Sequence, residues 1–268
     1  MKNINLRIFD WSGKKATGDD LLNVVTRELI NKTANALNHN IRFKHFFRYN
    51  ASVVGGGTIL GHGIFFKRIA RRIFFDQKPF MVFGTGARIP QRELNQKEQD
   101  MLNKFCDKSM LLGVRGERTK KWLEYYGISN VDVIGDTALA FKPVRVQYLH
   151  EDFKVGVSIR YMGGGLRPEE QLNSNKKNAI LFAAICDEFI REYKATLYFI
   201  DFCKNRFDSD FTGIQMIKKF MKEKKGVEES KLLSFDSNNN PVEGFSRLGK
   251  MDFILSQRLH PSLIGWVL

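Results

Sequence analysis

Residues 51–58 read ASVVGGGT, a short β-branched run that halts on three consecutive glycines. A strand buried in a parallel sheet has this composition, and glycines after it let the backbone turn tightly or approach a ligand. The same alternation extends in both directions. Upstream, 3–9 (NINLRIF) reads as a strand. A helix over 19–37 follows, with Leu21, Leu22, Val25, Leu29, Ile30 and Ala34 on one face. Downstream come a helix at 64–75, a strand at 80–84 (FMVFG), a helix at 96–107 and a strand at 110–114 (MLLGV). A helix at 116–126 ends on Gly127, and a strand at 131–134 runs into Gly135-Asp136.

Residues 142–152 (KPVRVQYLHED) break the pattern, which then restarts. Strands are expected at 154–159, 196–201, 231–235 and 252–255, with helices at 170–193, 211–224, 241–249 and from Pro261 onward. Strands alternating with helices specify a parallel sheet covered by helices. The repeat on both sides of a break predicts an α/β chain of two Rossmann-like doubly wound domains, 1–141 and 153–268, joined by a linker at 142–152. Such sheets bind ligands outside the carboxyl ends of their strands, so the chemistry is sought there.

Composition narrows the class. The chain of 268 residues is 43% hydrophobic, enough for packed cores. Its 43 basic against 29 acidic residues leave a net charge of +14. That surplus favours anionic partners: phosphorylated metabolites, nucleotide sugars, anionic lipid or nucleic acid. Lys-rich runs such as 218–225 (KKFMKEKK) read equally well as solvated faces. Cys106, Cys186 and Cys203 are scattered without a CxxC, which excludes a disulfide framework or zinc site and fits a reducing cytosol. No apolar run has the length of a signal peptide or spanning helix. The expectation is a cytoplasmic protein, soluble or peripheral to the inner membrane face.

Chemistry-bearing residues gather at the expected strand ends. Gly55, Gly56 and Gly57 precede Thr58 but lack the full GxGxxG spacing, and no acid suits an NAD site; a tight structural turn fits equally. The helix over 64–75 carries Lys67, Arg68, Arg71 and Arg72 on one face, with Phe65, Ile69 and Ile73 opposite. That basic face suits a diphosphate, an anionic membrane or plain solvent. Later strand ends carry Gly84-Thr85-Gly86 with Arg88, then Arg115 in GVRGER, Gly135-Asp136, and Arg160 in GVSIR. The last strand ends in Ser256-Gln257-Arg258-Leu259-His260. Arginines at separate strand ends are notable because a guanidinium fork matches carboxylate and phosphate oxygens. Of the five histidines, His62 and His260 fall at strand-to-helix turns.

Taken together and in order, these segments resemble the polysaccharide pyruvyl transferase family. The resemblance runs through the Gly18-Asp19-Asp20 turn, the strand into GGG, Gly84–Gly86, VRGERT with its helix ending YYG, VDVIGDTAL, SIR and SQRLH. SQRLH, matching the family's SxRLH, is the sharpest element. At one turn this chain departs from the pattern: NxGD reads Ala16-Thr17-Gly18-Asp19. The chain also stops at Gly265-Trp266-Val267-Leu268, where family members continue, so an incomplete second domain is expected.

The resemblance implies a fold similar to two-domain GT-B glycosyltransferases, with the reaction centre between the domains and no metal or cofactor. It implies transfer of the pyruvyl unit of phosphoenolpyruvate onto a hydroxyl pair of a saccharide, free or lipid-linked, as a ketal in exopolysaccharide or cell-wall polymer assembly. Arg115, Arg160 and Arg258 are the candidates for the doubly anionic donor, with Arg88 and the Gly55–Gly57 turn as further binding positions. His260 is the candidate proton donor. Asp19, Asp20 and Asp136 are candidates for orienting or deprotonating the acceptor, and Asp136 reads equally as a turn residue. Two alternatives stand beside this reading: a nucleotide-sugar glycosyltransferase of similar fold, and a catalytically silent module that binds an anionic glycan or lipid. Nucleic acid is disfavoured, since neither a binding motif nor a surface aromatic series accompanies the charge.

Overall fold

The computed structural model describes residues 5–10, 17–31, 35–37, 49–61, 63–88, 93–143, 153–162, 168–205, 208–234 and 241–267. The chain divides into two compact units, one comprising 1–12 and 22–140, the other 13–21 and 141–268. The expected linker over 142–152 lies, from 144 on, outside the described residues.

In the first unit every strand pairs in parallel. β1 (Asn5–Phe9) is flanked by β2 (Asn35–Leu37) and β3 (Ala51–Gly55), and the sheet continues through β5 (Phe80–Arg88), β6 (Leu112–Val114) and β7 (Asp132–Val133). The helices are α2 (Ile64–Asp76), α3 (Gln96–Asp107), α4 (Glu117–Tyr125) and, from Leu22 on, α1 (Thr17–Asn31), whose first residues are counted with the other unit. Setting aside β4 (Thr58–Gly61), which pairs only with β5, the strand order is 2-1-3-4-5-6. The order reverses between β1 and β3, the switch point at which doubly wound sheets bind ligands.

α1 is shorter than expected. Its apolar face is buried at Leu21, Leu22 and Val25 but only half-buried at Leu29 and Ile30. With that stripe fading, the helix stops at Asn31, and Asn35–Leu37 pairs with β1 as a strand instead. β4 was likewise not expected, because the glycines before it hide a short apolar run. α3 begins with a reciprocal cap: the Glu98 N–H donates to Asn95 Oδ1 at 3.1 Å, and the Asn95 N–H to Glu98 Oε2 at 3.2 Å. Phe66, Ile69 and Ile73 of α2 pack with Phe105 of α3 and Val82 of β5 in one core. Each such buried side chain contributes about 1.5–3 kcal/mol relative to exposure.

The second unit holds a four-stranded parallel sheet ordered β12-β9-β8-β13. Its strands are β8 (Lys154–Ser158), β9 (Thr196–Asp201), β12 (Lys231–Ser234) and β13 (Phe253–Ser256). Numbered within the unit, the order is 3-2-1-4, with its switch point between β8 and β13. Helices α5 (Pro168–Tyr193), α6 (Asp210–Phe220), α7 (Lys224–Glu229), α8 (Pro241–Leu248) and α9 (Leu259–Val267) surround it, and β10 (Lys204–Asn205) and β11 (Asp208–Ser209) form a small antiparallel ladder. Val155, Val157 and Phe199 of the sheet pack with Ala179 and Phe182 of α5 and with Ile214 and Ile217 of α6.

The single helix expected over 211–224 is two. Buried Asp187 of α5 accepts the Lys222 N–H at 2.9 Å and the Glu223 N–H at 3.0 Å, and so holds the break between α6 and α7. The three cysteines are buried thiols outside any disulfide. Among the described residues no helix is long and apolar enough to cross a membrane, and no group of three His, Cys, Asp or Glu side chains is placed to hold a metal.

Candidate functional site

In the first unit, β3, β5 and β6 deliver their carboxyl ends to one edge of the sheet. The glycine turn after β3 bends through positive φ at Gly56 (71°) and Gly57 (62°), the region that favours glycine. It is braced by Thr85, fully buried, whose hydroxyl donates to Gly57 O at 3.2 Å and accepts from the Ile59 N–H at 3.3 Å. Thr85 itself stands just beyond an irregularity in the β5–β6 register at Gly84 (φ 66°).

Over this turn lies Arg115, immediately after β6. Its Nη1 pairs with Asp136 Oδ2 at 3.2 Å and its Nη2 donates to Thr58 Oγ1 at 3.2 Å. Arg115 passes so close to Gly86 that a Cβ there would sit 2.8 Å from Nη2, so the glycine makes room for the guanidinium. Asp136 is engaged at both oxygens, since Oδ1 accepts the Ala138 N–H at 2.9 Å. It therefore both steers Arg115 and starts the short 3₁₀ turn over Thr137–Ala140. The Arg115–Asp136 pair thus joins two residues singled out in the sequence. Buried Asp10, at the end of β1 on the switch point, accepts from Asn23 Nδ2 of α1. Asp19 and Asp20 stand half-buried in the first turn of α1, where carboxylates complement the helix dipole. The Arg88 side chain and His62 lie outside the described residues.

In the second unit the switch point is occupied by SIR and SQRLH together. Gln257 ties the two strand ends: its N–H donates to Ser158 O at 2.8 Å, and its Oε1 accepts the Arg160 N–H at 3.2 Å. Arg160 is exposed and lines a pocket of about 350 Å³ with Met162, Gln171, Ser174, Asn178 and Gln257. One wall is fixed by Asn175 of α5, whose amide accepts from the Met162 N–H at 3.3 Å and donates to Met162 O at 2.9 Å. The lining joins one cation to several amides and a hydroxyl, groups that hydrogen-bond carboxylate, phosphate and sugar hydroxyls alike.

Arg258 points its fork at Asp210, with Nε 2.9 Å from each carboxylate oxygen. Asp210 is wholly buried and also accepts the Phe202 and Cys203 N–H groups at 3.1 and 3.2 Å, which anchors the end of β9 to the start of α6. Ser256 Oγ accepts the Arg258 N–H at 3.0 Å, and Ser262 Oγ donates to Arg258 O at 2.9 Å. His260 follows in the first turn of α9, half-buried.

Sequence reasoning gathered Arg115, Arg160, Arg258 and His260 around one donor; the structure has Arg160, Arg258 and His260 at the strand ends of the second unit and Arg115, paired with Asp136, at those of the first. Sequence reasoning missed Asp10, Thr85, Asn175 and Asp210. Of these only Thr85 carried a signal, as the middle residue of a GTG strand end.

The family model described as polysaccharide pyruvyl transferase matches residues 17–265. No curated protein matches the chain. Among solved structures, the chain is similar to a putative UDP-N-acetylglucosamine 2-epimerase from Listeria monocytogenes at 12% identity and TM-score 0.58, covering 97% of this chain and 75% of that one. It is similar to the S. aureus MnaA–UDP co-structure at 14% identity and TM-score 0.56, covering 96% and 74%. It is also similar to UDP-GlcNAc 2-epimerase from Neisseria meningitidis bound to UDP-GlcNAc, at 13% identity and TM-score 0.53, covering 97% and 80%. At these identities the likeness concerns the fold, a GT-B-like chain with Rossmann-like parallel sheets.

Proposed function

The chain belongs to the polysaccharide pyruvyl transferase family, and from that premise we propose that it moves the pyruvyl unit of phosphoenolpyruvate onto two hydroxyls of a saccharide, forming a ketal. The observation that carries this reading is the grouping of Arg160, Gln257, Arg258 and His260 at the switch point of the second sheet.

The reaction needs cations for a carboxylate and a phosphate, and one proton donor. Protonation of the methylene carbon leaves an electron-poor centre at the carbon bearing the phosphate ester. The first sugar hydroxyl bonds there and gives up its proton. The second hydroxyl bonds to the same carbon as the C–O bond to phosphate breaks, and its proton leaves with the departing inorganic phosphate. Protons balance, and no redox step or metal is required. Arg160, exposed in the pocket, takes a donor oxyanion directly; Arg115 is assigned the same class of role in the first unit. Arg258 spends Nε and Nη2 on Asp210, so its assigned part is to fix the loop and add positive potential. His260 is assigned delivery of the proton. Asp136 is assigned a positioning role on Arg115, and Asp19 and Asp20 remain candidates for the acceptor hydroxyls.

Thermal unfolding of the full chain with added ligand tests this reading. Phosphoenolpyruvate raises the melting temperature by mass action, and Arg160→Ala removes that rise while leaving the unliganded melting temperature unchanged. Stabilisation by a UDP-sugar but not by phosphoenolpyruvate would favour a glycosyltransferase instead, and stabilisation by neither would favour a silent binding module.

A further inference from the structure

On the outward side of α2, Ile64, Arg68, Arg71 and Phe75 follow one another at helical spacing and stack on a single face. The opposite face of the same helix sends Phe66, Ile69, Ala70 and Ile73 into the core. Ile64 is 71% exposed and Phe75 70%, and the two arginines between them are exposed as well. A single exposed apolar side chain calls for no explanation. Two of them, bracketing two arginines on one ridge, match the pattern of helices that lie on a bilayer, whose apolar side chains enter the acyl boundary while arginine stems reach back to phosphates.

The charge on this face is of one sign. Asp76 is the sole acid of α2, and its side chain is 2% exposed, turned inward onto Arg7 and Arg72 and bonded by the Tyr49 hydroxyl. Lys67 points aside to Glu98 at 3.3 Å. Next to the carboxyl end of α2 opens a pocket of about 600 Å³ lined in part by Phe74, Gln77, Lys78, Lys104 and Lys108. The Lys104 and Lys108 amines stand 5.1 and 5.7 Å from the Phe74 ring centre. This pocket lies where β5 begins, at the edge of the first sheet opposite the strand ends that carry Arg115 and Asp136.

We infer that the first unit docks on an anionic phospholipid surface through the Ile64–Arg68–Arg71–Phe75 face, with the lysine pocket taking a lipid headgroup phosphate. The inference is independent of the transferase reading, because it needs neither phosphoenolpyruvate nor turnover.

Co-sedimentation of the full chain with vesicles tests it, comparing equal parts phosphatidylglycerol and phosphatidylcholine with phosphatidylcholine alone. The protein sediments with the mixed vesicles at low salt, is released at high salt, and stays in solution with phosphatidylcholine alone. Arg68→Glu/Arg71→Glu weakens binding about tenfold or more, Ile64→Ser/Phe75→Ser weakens it too, and Lys104→Ala/Lys108→Ala produces a smaller loss. All these positions sit at the surface, so circular dichroism and melting temperature confirm that the fold persists. Variants that sediment like the parent would overturn the inference, as would equal capture by phosphatidylcholine. So would Phe75-dependent self-association in the ultracentrifuge without vesicle binding, which would make this face a contact between copies.

Discussion

Arg258 and Asp210 are joined by a forked ion pair, with Arg258 Nε 2.9 Å from both oxygens of a carboxylate that no solvent reaches. The pair ties the loop after β13 to the start of α6. A buried carboxylate is costly unless a cation compensates it. Arg258 is therefore a structural necessity before it is anything else, and its removal must be judged against that cost.

Arg258→Ala leaves Asp210 buried without its cation and costs about 3–5 kcal/mol of stability. The double variant Arg258→Met/Asp210→Asn is expected to regain part of that loss, since it removes both charges. Urea unfolding of the three proteins measures it; an Arg258→Ala protein as stable as its parent would contradict the pairing.

Gly84 and Gly86 separate two kinds of crowding. At Gly84 a Cβ would meet Thr137 Cγ2 at 2.6 Å with φ at 66°, whereas at Gly86 it would meet the movable end of Arg115. Gly84→Ala is expected to cost more, about 2–4 kcal/mol from backbone strain and overpacking together. Gly86→Ala is expected to fold with a smaller loss while displacing Arg115 from Thr58. Denaturation curves rank the two, and the reverse ranking would contradict this account.

Asp187 holds the break between α6 and α7 by accepting two backbone N–H groups. Asp187→Ala is expected to destabilise by about 2 kcal/mol, the scale of charge-assisted hydrogen bonds lost from a buried site. Hydrogen exchange at Lys222 and Glu223 should quicken in the variant. If exchange there is unchanged, the cap is not what holds the break.

Alkaline pH probes three buried groups. Burial pushes the Cys106 and Cys186 thiols up to about 12, helped by Asp107 and Asp187 respectively, and burial and then the bond to Asp76 push Tyr49 up to about 12. Each folded pKa is raised above its ordinary value, so the unfolded chain releases these protons first. Stability from this source is full below about pH 9 and declines as pH climbs toward 12. Urea midpoints across that range should fall, with Tyr49→Phe flattening part of the decline. At neutral pH the buried thiols are expected to resist a thiol reagent until the chain unfolds.

How much of this could be read from the sequence depends on distance along the chain. The strand and helix alternation is local, and β9 and α3 fall where the residues 196–201 and 96–107 predict them. Arg115, Arg160, Arg258 and His260 were legible because a strand end is visible locally and a parallel sheet then sends it to a known edge. Asp210 was not, because its partner is 48 residues away and its neighbours, KNRFDSDF, look like a polar loop. Asn175 was hidden within a polar helix turn, and only the fold reveals that it clamps Met162. The division of 211–224 escaped notice for the same reason, since its cause, Asp187, belongs to another helix.

The two sheets also bear on how the molecule can be re-engineered. In the first, the chain doubles back after its second strand; in the second, only after its third. The halves are consequently not interchangeable modules, and aligning one on the other strand for strand would put a neighbour on the wrong flank. Chimaeras built by swapping equivalent βα segments between them should fail to fold, whereas transplanting a whole half from a relative preserves every neighbour relation.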